Sequence, residues 1–170
     1  ITLYNNSNNN VNQNVFKNAN NVTSLGDVAQ SFLQINDKGY IVVNNSNKIE
    51  VVNISDFTSL ATITGFNSPR YMLKINDSKA YVTDLYSNSI QIVNLNSNTI
   101  SGNISVQGWT EQLVLLNDTA YVCDMTNNNI LIINTITDVL IDSIKVGISP
   151  NSLVIDKNKK LWVMCSGGFY

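Results

Sequence analysis

The sequence predicts an all-β fold, a β-propeller assembled from four-stranded antiparallel blades. The first observation behind this is a repeated phrase. Lys79-Ala80-Tyr81-Val82-Thr83-Asp84 followed by Ser89-Ile90-Gln91-Ile92-Val93-Asn94-Leu95 returns as Ala120-Tyr121-Val122-Cys123-Asp124 followed by Asn129-Ile130-Leu131-Ile132-Ile133-Asn134. An earlier copy reads Gly39-Tyr40-Ile41-Val42-Val43-Asn44, then Lys48-Ile49-Glu50-Val51-Val52-Asn53-Ile54, and a later one opens at Leu161-Trp162-Val163-Met164-Cys165-Ser166. The second observation is the spacing. From Tyr40 to Tyr81, Tyr121 and Trp162 the steps are 41, 40 and 41 residues. A period of that size, made of four short apolar runs, belongs to a propeller blade rather than a helical repeat. The third is a strand apolar on both sides: Ile90 and Ile92 oppose Val93 and Leu95, and Ile130 and Ile132 oppose Leu131 and Ile133. Such a strand must be covered on both faces, which neighbouring blades do.

Residues 1–5 and 11–16 read as two strands joined by an asparagine-rich turn, and residues 1–20 are expected to form an outer half-blade. Leu25-Gly26-Asp27-Val28-Ala29-Gln30-Ser31 then connects to the first full blade, 31–65, with strands near 31–35, 39–44, 48–54 and 60–65. The second blade, 70–106, uses 70–75, 79–84, 89–95 and 99–106; the third, 111–146, uses 112–116, 119–124, 129–135 and 139–146. Residues 151–170 open an inner half-blade with strands near 151–155 and 160–166. The short loops between runs are rich in Asn, Asp, Ser and Gly, as hairpins require. Three full blades and two half-blades, all within one domain, can close as a four-bladed ring with a composite blade, or form a segment of a larger propeller. The second arrangement is expected.

Composition narrows the function. With 13% charged residues and a net charge of -2, the chain has no electrostatic footprint for nucleic acid and no basic run for a membrane surface. No apolar run approaches the ~20 residues of a membrane span. Histidine is absent, which removes the commonest metal ligand and general base. No Ser-His-Asp set can be built, two separated cysteines make no metal constellation, and Ser166-Gly167-Gly168 lacks the lysine and helix of a phosphate loop. No catalytic residue, metal or cofactor is expected. Cys123 and Cys165 stand at different offsets from their blade's aromatic, on opposite faces of neighbouring blades, and are read as buried small hydrophobes rather than a disulfide.

Leu25-Gly26-Asp27-Val28-Ala29-Gln30-Ser31, Ser68-Pro69-Arg70-Tyr71, Ala80-Tyr81-Val82-Thr83-Asp84-Leu85-Tyr86, Pro150-Asn151-Ser152 and Leu161-Trp162-Val163-Met164-Cys165-Ser166-Gly167-Gly168 together resemble the YncE-like surface-exposed propellers of Gram-negative bacteria. The resemblance covers nearly the whole chain. It implies a seven-bladed propeller about twice this length, exported, and lipid-anchored at the outer-membrane surface or held in the periplasm. Some members of that family capture corrinoids of the vitamin B12 type for a TonB-dependent transporter. Of that pattern, the residues read here hold three full blades and two half-blades.

Propeller ligands meet the ends of the innermost strands and the loops above the central channel. Counting from Gly26, Gly65, Gly108 and Gly147 places Gln30, Arg70, Gln112 and Asn151 at equivalent positions, a candidate ring of hydrogen-bonding groups at the channel mouth. The alternative is that they satisfy strand-end backbone or hold channel water. Tyr86 and Trp109 lie on loops at the same end and are candidates to stack on a flat ligand such as a sugar or corrin; alternatively, Trp109 plugs the gap between blades. Asp84 and Asp124, with Asn44, are read as turn-forming residues rather than a catalytic pair. Asp118-Thr119-Ala120 and Asp142-Ser143-Ile144 match a short O-glycan acceptor pattern that also arises by chance. The expected function is a non-catalytic ligand-binding propeller that captures a small molecule or glycan. The alternatives are a protein-interaction scaffold, or a lyase or lactonase whose site lies in other blades.

Overall fold

The computed structural model describes residues 1–22 and 24–168. A small hairpin of β1 (Leu3–Asn5) and β2 (Asn10–Asn12) opens the chain, followed by α1 (Val15–Asn20). Three four-stranded antiparallel sheets come next. The first blade is β3 (Ala29–Ile35), β4 (Lys38–Val43), β5 (Lys48–Asn53) and β6 (Ser59–Thr64). The second is β7 (Pro69–Lys74), β8 (Lys79–Asp84), β9 (Ser89–Asn94) and β10 (Thr99–Ser105). The third is β11 (Thr110–Leu116), β12 (Thr119–Asp124), β13 (Asn129–Asn134) and β14 (Val139–Lys145). A two-stranded sheet, β15 (Pro150–Ile155) and β16 (Leu161–Cys165), begins a fourth. Phe169 and Tyr170, at the end of the expected inner half-blade, lie outside the described residues.

The sheets stack as blades. The first strands β3, β7, β11 and β15 lie against one another, whereas the fourth strands β6, β10 and β14 touch only lightly, so each blade is a wedge with its first strand at the axis. Between the first two blades, Tyr40, Val42, Ile49, Val51 and Ile63 meet Met72, Ala80, Val82, Val93 and Leu95. Between the next two, Tyr81, Ile90 and Ile104 meet Leu113, Ala120, Val122, Leu131 and Ile133. The dyad period of strand two sets this up: the tyrosine faces forward, and the alanine before it faces backward to make room for the previous tyrosine. Each fully buried aliphatic here is worth about 1.5–3 kcal/mol, which an isolated blade would forgo.

Polar stitches cross the same interfaces. The Tyr40 hydroxyl donates to Asn98 Oδ1 at 3.4 Å, and the Tyr81 hydroxyl donates to the Asp138 carboxylate. Asn98 and Asp138 occupy the β9–β10 and β13–β14 hairpins in left-handed conformation, with φ of 52° and 56°. Lys79 Nζ reaches Asp138 Oδ1 at 2.6 Å and the Thr135 carbonyl at 2.7 Å. Burial, with the Asp138 carboxylate adding, pushes the Tyr81 phenol far above its ordinary range. The left-handed turns also account for part of the asparagine content. Asn36, Asn47, Asn88, Asn98, Asn117 and Asn128 all have positive φ, a conformation asparagine tolerates better than other residues with a Cβ.

The chain's first segment departs from the expected strand pair. The strand foreseen over 11–16 stops at Asn12, and Val15–Asn20 is helical. The hairpin β1–β2 joins no other sheet, so no composite blade with β15–β16 forms among the described residues. The reason is a competing contact: Phe16 is buried against Ile41, Val43, Val52 and Phe57 on the first blade's backward face, the face a preceding blade would cover. Asn20 fastens the helix there, its Nδ2 donating to the Phe57 carbonyl at 2.9 Å and its Oδ1 accepting from Ser59 N at 2.7 Å. At the other end of the stack the forward face of β15–β16 is uncovered, with Val154, Trp162 and Met164 60%, 61% and 67% exposed.

The two cysteines face each other's blade across the third interface: Cys123 is buried with Ile130 and Leu153, and Cys165 is half-buried on the facing strand. Opposite faces of neighbouring blades are the faces that meet, yet both thiols are free. Burial pushes the Cys123 thiol up to about 12, with Cys165 and Glu111 adding to the effect. The thiolate is the reactive form. At pH 8 iodoacetamide is therefore expected to alkylate Cys165 in the folded chain and Cys123 only after denaturation, a difference read by peptide mass spectrometry.

Candidate functional site

Every first strand begins with a β-bulge: the pairing register shifts between Ala29 and Ser31, Pro69 and Met72, Thr110 and Leu113, and Pro150 and Ser152. A bulge adds an unpaired residue and re-aims its side chain. Ala29, Pro69, Thr110 and Pro150 each pair with the residue three after the blade's aromatic, namely Val43, Asp84, Asp124 and Cys165. The residues that follow, Gln30, Arg70, Glu111 and Asn151, are therefore the equivalent set. This corrects the glycine count, which put Gln112 in Glu111's place, because the connection after Gly108 is one residue shorter than those after Gly26 and Gly147.

These four do not form an open ring of free groups. Arg70 Nε donates to both Glu111 carboxylate oxygens at 3.1 Å, and Arg70 Nη1 donates to Gln30 Oε1 at 2.6 Å. Gln30, Arg70 and Glu111 thus tie three blades together beside the axis. Burial holds the Glu111 carboxyl above its ordinary range although Arg70 pulls it down. Asn151 Oδ1 is buried without a partner among the described residues. Gln112 instead bolts the third blade to the fourth, its Oε1 accepting from Ser152 Oγ at 2.7 Å and Leu153 N at 3.0 Å.

Asp84 and Asp124 are also committed to structure. The buried Asp84 carboxylate accepts from Asn67 N at 2.8 Å, Ser68 N at 3.0 Å and Tyr86 N at 3.0 Å, clamping the loop after β8 to its own blade's start. Asp124 accepts from Asn127 N at 3.1 Å and Asn127 Nδ2 at 2.9 Å. Among the described residues no group of three or more His, Cys, Asp or Glu is placed to hold a metal.

The rim above these strands carries the aromatic pair. Tyr86, on the loop after β8, and Trp109, just before β11, meet edge to face with ring centroids 6.0 Å apart. Tyr86 is 62% and Trp109 45% exposed, so Trp109 is not buried as an interblade plug. Beside Trp109 a pocket of about 510 Å³ is lined by Trp109, Met125, Thr126, Asn128, Ile148 and Ser149. The repeat explains the hollow. By register, Thr126 and Ser149 occupy in the third interface the places that Tyr86 and Trp109 occupy in the second. Small residues where the previous interface has two rings leave a space. Hydrogen bonds fix its walls: Trp109 N donates to Thr126 Oγ1 at 3.0 Å, Met125 N to the Trp109 carbonyl at 2.9 Å, and Ser149 N to Asn128 Oδ1 at 2.8 Å.

The structure thus brings Tyr86 and Trp109 together on the rim, and Gln30 and Arg70 together at the axis, while Gln112 and Asn151 join neither group. Sequence reading missed Glu111 and the pocket's other five residues. Their signal is positional, since all five lie on the loop after β12 or the connection before β15.

A family model described as a domain of unknown function (DUF5074) matches residues 1–170. The chain belongs to this family. Among curated proteins, none matches the sequence of this DUF5074 chain. Solved structures do match it in shape. Hydrazine synthase of Kuenenia stuttgartiensis superposes with a TM-score of 0.72 at 17% identity, over 84% of this chain and 41% of that one. The WD40 β-propeller domain of Doa1 gives 0.69 at 14% identity, over 79% and 46%. Apo AztD from Citrobacter koseri gives 0.58 at 14% identity, over 67% and 33%. At these identities the likeness shows the propeller fold alone, and the fold hosts both enzymes and binding proteins. The chain spans less than half the length of the solved structures it matches.

Proposed function

We propose that this chain belongs to a non-catalytic ligand-binding propeller, displayed at a bacterial outer-membrane surface or in the periplasm. In this reading it captures a small molecule, a corrinoid or a glycan, for a TonB-dependent transporter. The observation that carries the reading is the rim: an exposed aromatic pair beside a preorganised pocket lined by both apolar and hydrogen-bonding side chains. The commitment of Asp84, Asp124 and Glu111 to structural partners supports a non-catalytic role. The resemblance to YncE-like surface propellers supports the location and the transporter.

A thermal-shift series with cobalamin and with oligosaccharides tests the reading, because a ligand that binds only the folded state raises the melting temperature as its concentration grows. A concentration-dependent rise that disappears in Trp109→Ala supports it. Flat melting curves with both classes, or a rise unchanged in Trp109→Ala, would refute it. An interaction scaffold is the second reading, favoured by the exposure of Tyr86 at the rim's edge. Loss of a co-purifying protein in Tyr86→Ala, with the melting temperature unmoved by small ligands, would select it.

A further inference from the structure

We infer that the pocket beside Trp109 is a subsite for a neutral sugar ring, an inference that rests on the reading of the rim as a ligand-binding surface. Three features of the pocket point to that chemistry.

The first is the stacking wall. Sugar rings carry an apolar C–H face that packs on an indole, a contact that needs a rigid, accessible ring with open space over it. Trp109 has all three. Its backbone N–H and carbonyl are bonded to Thr126 and Met125, Tyr86 packs against it in an edge-to-face pair, and the residue lines the pocket while staying exposed. Met125 and Ile148 extend the apolar lining.

The second is the set of groups left over after the walls are built. Thr126 Oγ1 and Asn128 Oδ1 already accept backbone N–H groups. The Thr126 hydroxyl proton, the Asn128 amide N–H groups and the Ser149 hydroxyl make no hydrogen bond among the described residues. Donors from two residues and a hydroxyl that both gives and takes suit a ligand bearing hydroxyls, which also give and take.

The third is the absence of charge. None of the six lining residues is ionisable. A carboxylated, sulfated or phosphorylated ring would lose hydration there with no cation among the lining residues to replace it, since the neighbouring Lys145 ammonium is held on the Asn127 carbonyl at 2.7 Å, a cost a neutral ring avoids.

The test uses titration calorimetry and tryptophan fluorescence on the chain carrying Trp162→Phe, which leaves Trp109 as the sole indole reporter. The titrants are neutral malto-, cello-, manno- and xylo-oligosaccharides, oligogalacturonate as the anionic arm, and cobalamin as the corrinoid arm. The expected result is saturable binding of a neutral oligosaccharide with a change in Trp109 emission. Trp109→Ala, followed by calorimetry, is expected to weaken it about tenfold or more, the scale of one lost aromatic contact. Ser149→Trp, which refills the hollow as the preceding interface does and leaves Trp109 in place, is expected to weaken it to a similar degree. Binding of oligogalacturonate or cobalamin alone, lost in Trp109→Ala, would overturn the neutral-sugar inference and leave the rim reading standing. No binding by any arm, or neutral binding indifferent to both variants, would overturn both.

Discussion

Arg70→Met is expected to destabilise the chain by about 3–5 kcal/mol at neutral pH, the usual scale for stranding one member of a buried ion pair. Glu111 is buried, and Arg70 meets both its carboxylate oxygens. Without the guanidinium the carboxylate has no cation to offset its lost hydration, and Gln30 loses its donor as well. The pH dependence identifies the cause. In the parent, burial already holds the Glu111 carboxyl above its ordinary range against the downward pull of Arg70. Removing that pull raises it further. A carboxyl whose pKa is higher folded than unfolded favours the folded state at pH below its unfolded value, and the benefit fades as pH rises through the folded value. The gap between Arg70→Met and parent should therefore be widest at pH 8 and close progressively toward about pH 4, near the unfolded glutamate value. Urea unfolding across that range reads it, and adding Glu111→Gln should recover much of the loss at pH 8. A gap constant with pH would mean that lost packing by the arginine stem, not the stranded carboxylate, causes the effect.

Tyr81→Ala is expected to cost a similar amount, about 3–5 kcal/mol, because the ring is fully buried in the second interface and its removal leaves a cavity. Tyr81→Phe separates the ring from the hydroxyl. It keeps the packing but removes the bond to Asp138, which retains Lys79 at 2.6 Å, so roughly 1–2 kcal/mol is expected. Hydrogen exchange adds a spatial prediction. Since Tyr81 is held on one side by its own sheet and on the other by the third blade, Tyr81→Ala should lower protection in β8, β9, β12 and β13 more than in β4 and β5. Loss of protection confined to the second blade would show that the interface does not couple the two.

Much of this architecture could be read from the residues, and the parts that could not have physical reasons. The aromatic period placed strand two of every blade because the tyrosine must recur wherever a blade meets its successor, and the two-sided apolar pattern of β9 and β13 announced the stacking. The helix at Val15–Asn20 was not legible. Its single turn and a half has no apolar periodicity to detect, and it exists because Phe16 finds a greasy face on the first blade. Gln112 falls one residue past the equivalent place because the connection after Gly108 is one residue short, and the bulge rather than the glycine sets the register. At the rim, Tyr86 and Trp109 were visible as large residues in loops. The pocket next to them was invisible because it is made by what Thr126 and Ser149 are not.

The tyrosine stitches have one more consequence, for how such a chain can grow or shrink in evolution. Tyr40 depends on Asn98 and Tyr81 on Asp138, so the phenol encoded in one sheet is completed by a turn encoded 58 or 57 residues downstream. The heritable module is consequently out of phase with the visible sheet. An in-frame duplication of one whole period supplies every new phenol with a partner wherever its breakpoints fall. A gain or loss of half a period strands a hydroxyl at the junction, which favours ancestral recombination in steps of 40 or 41 residues over any other length.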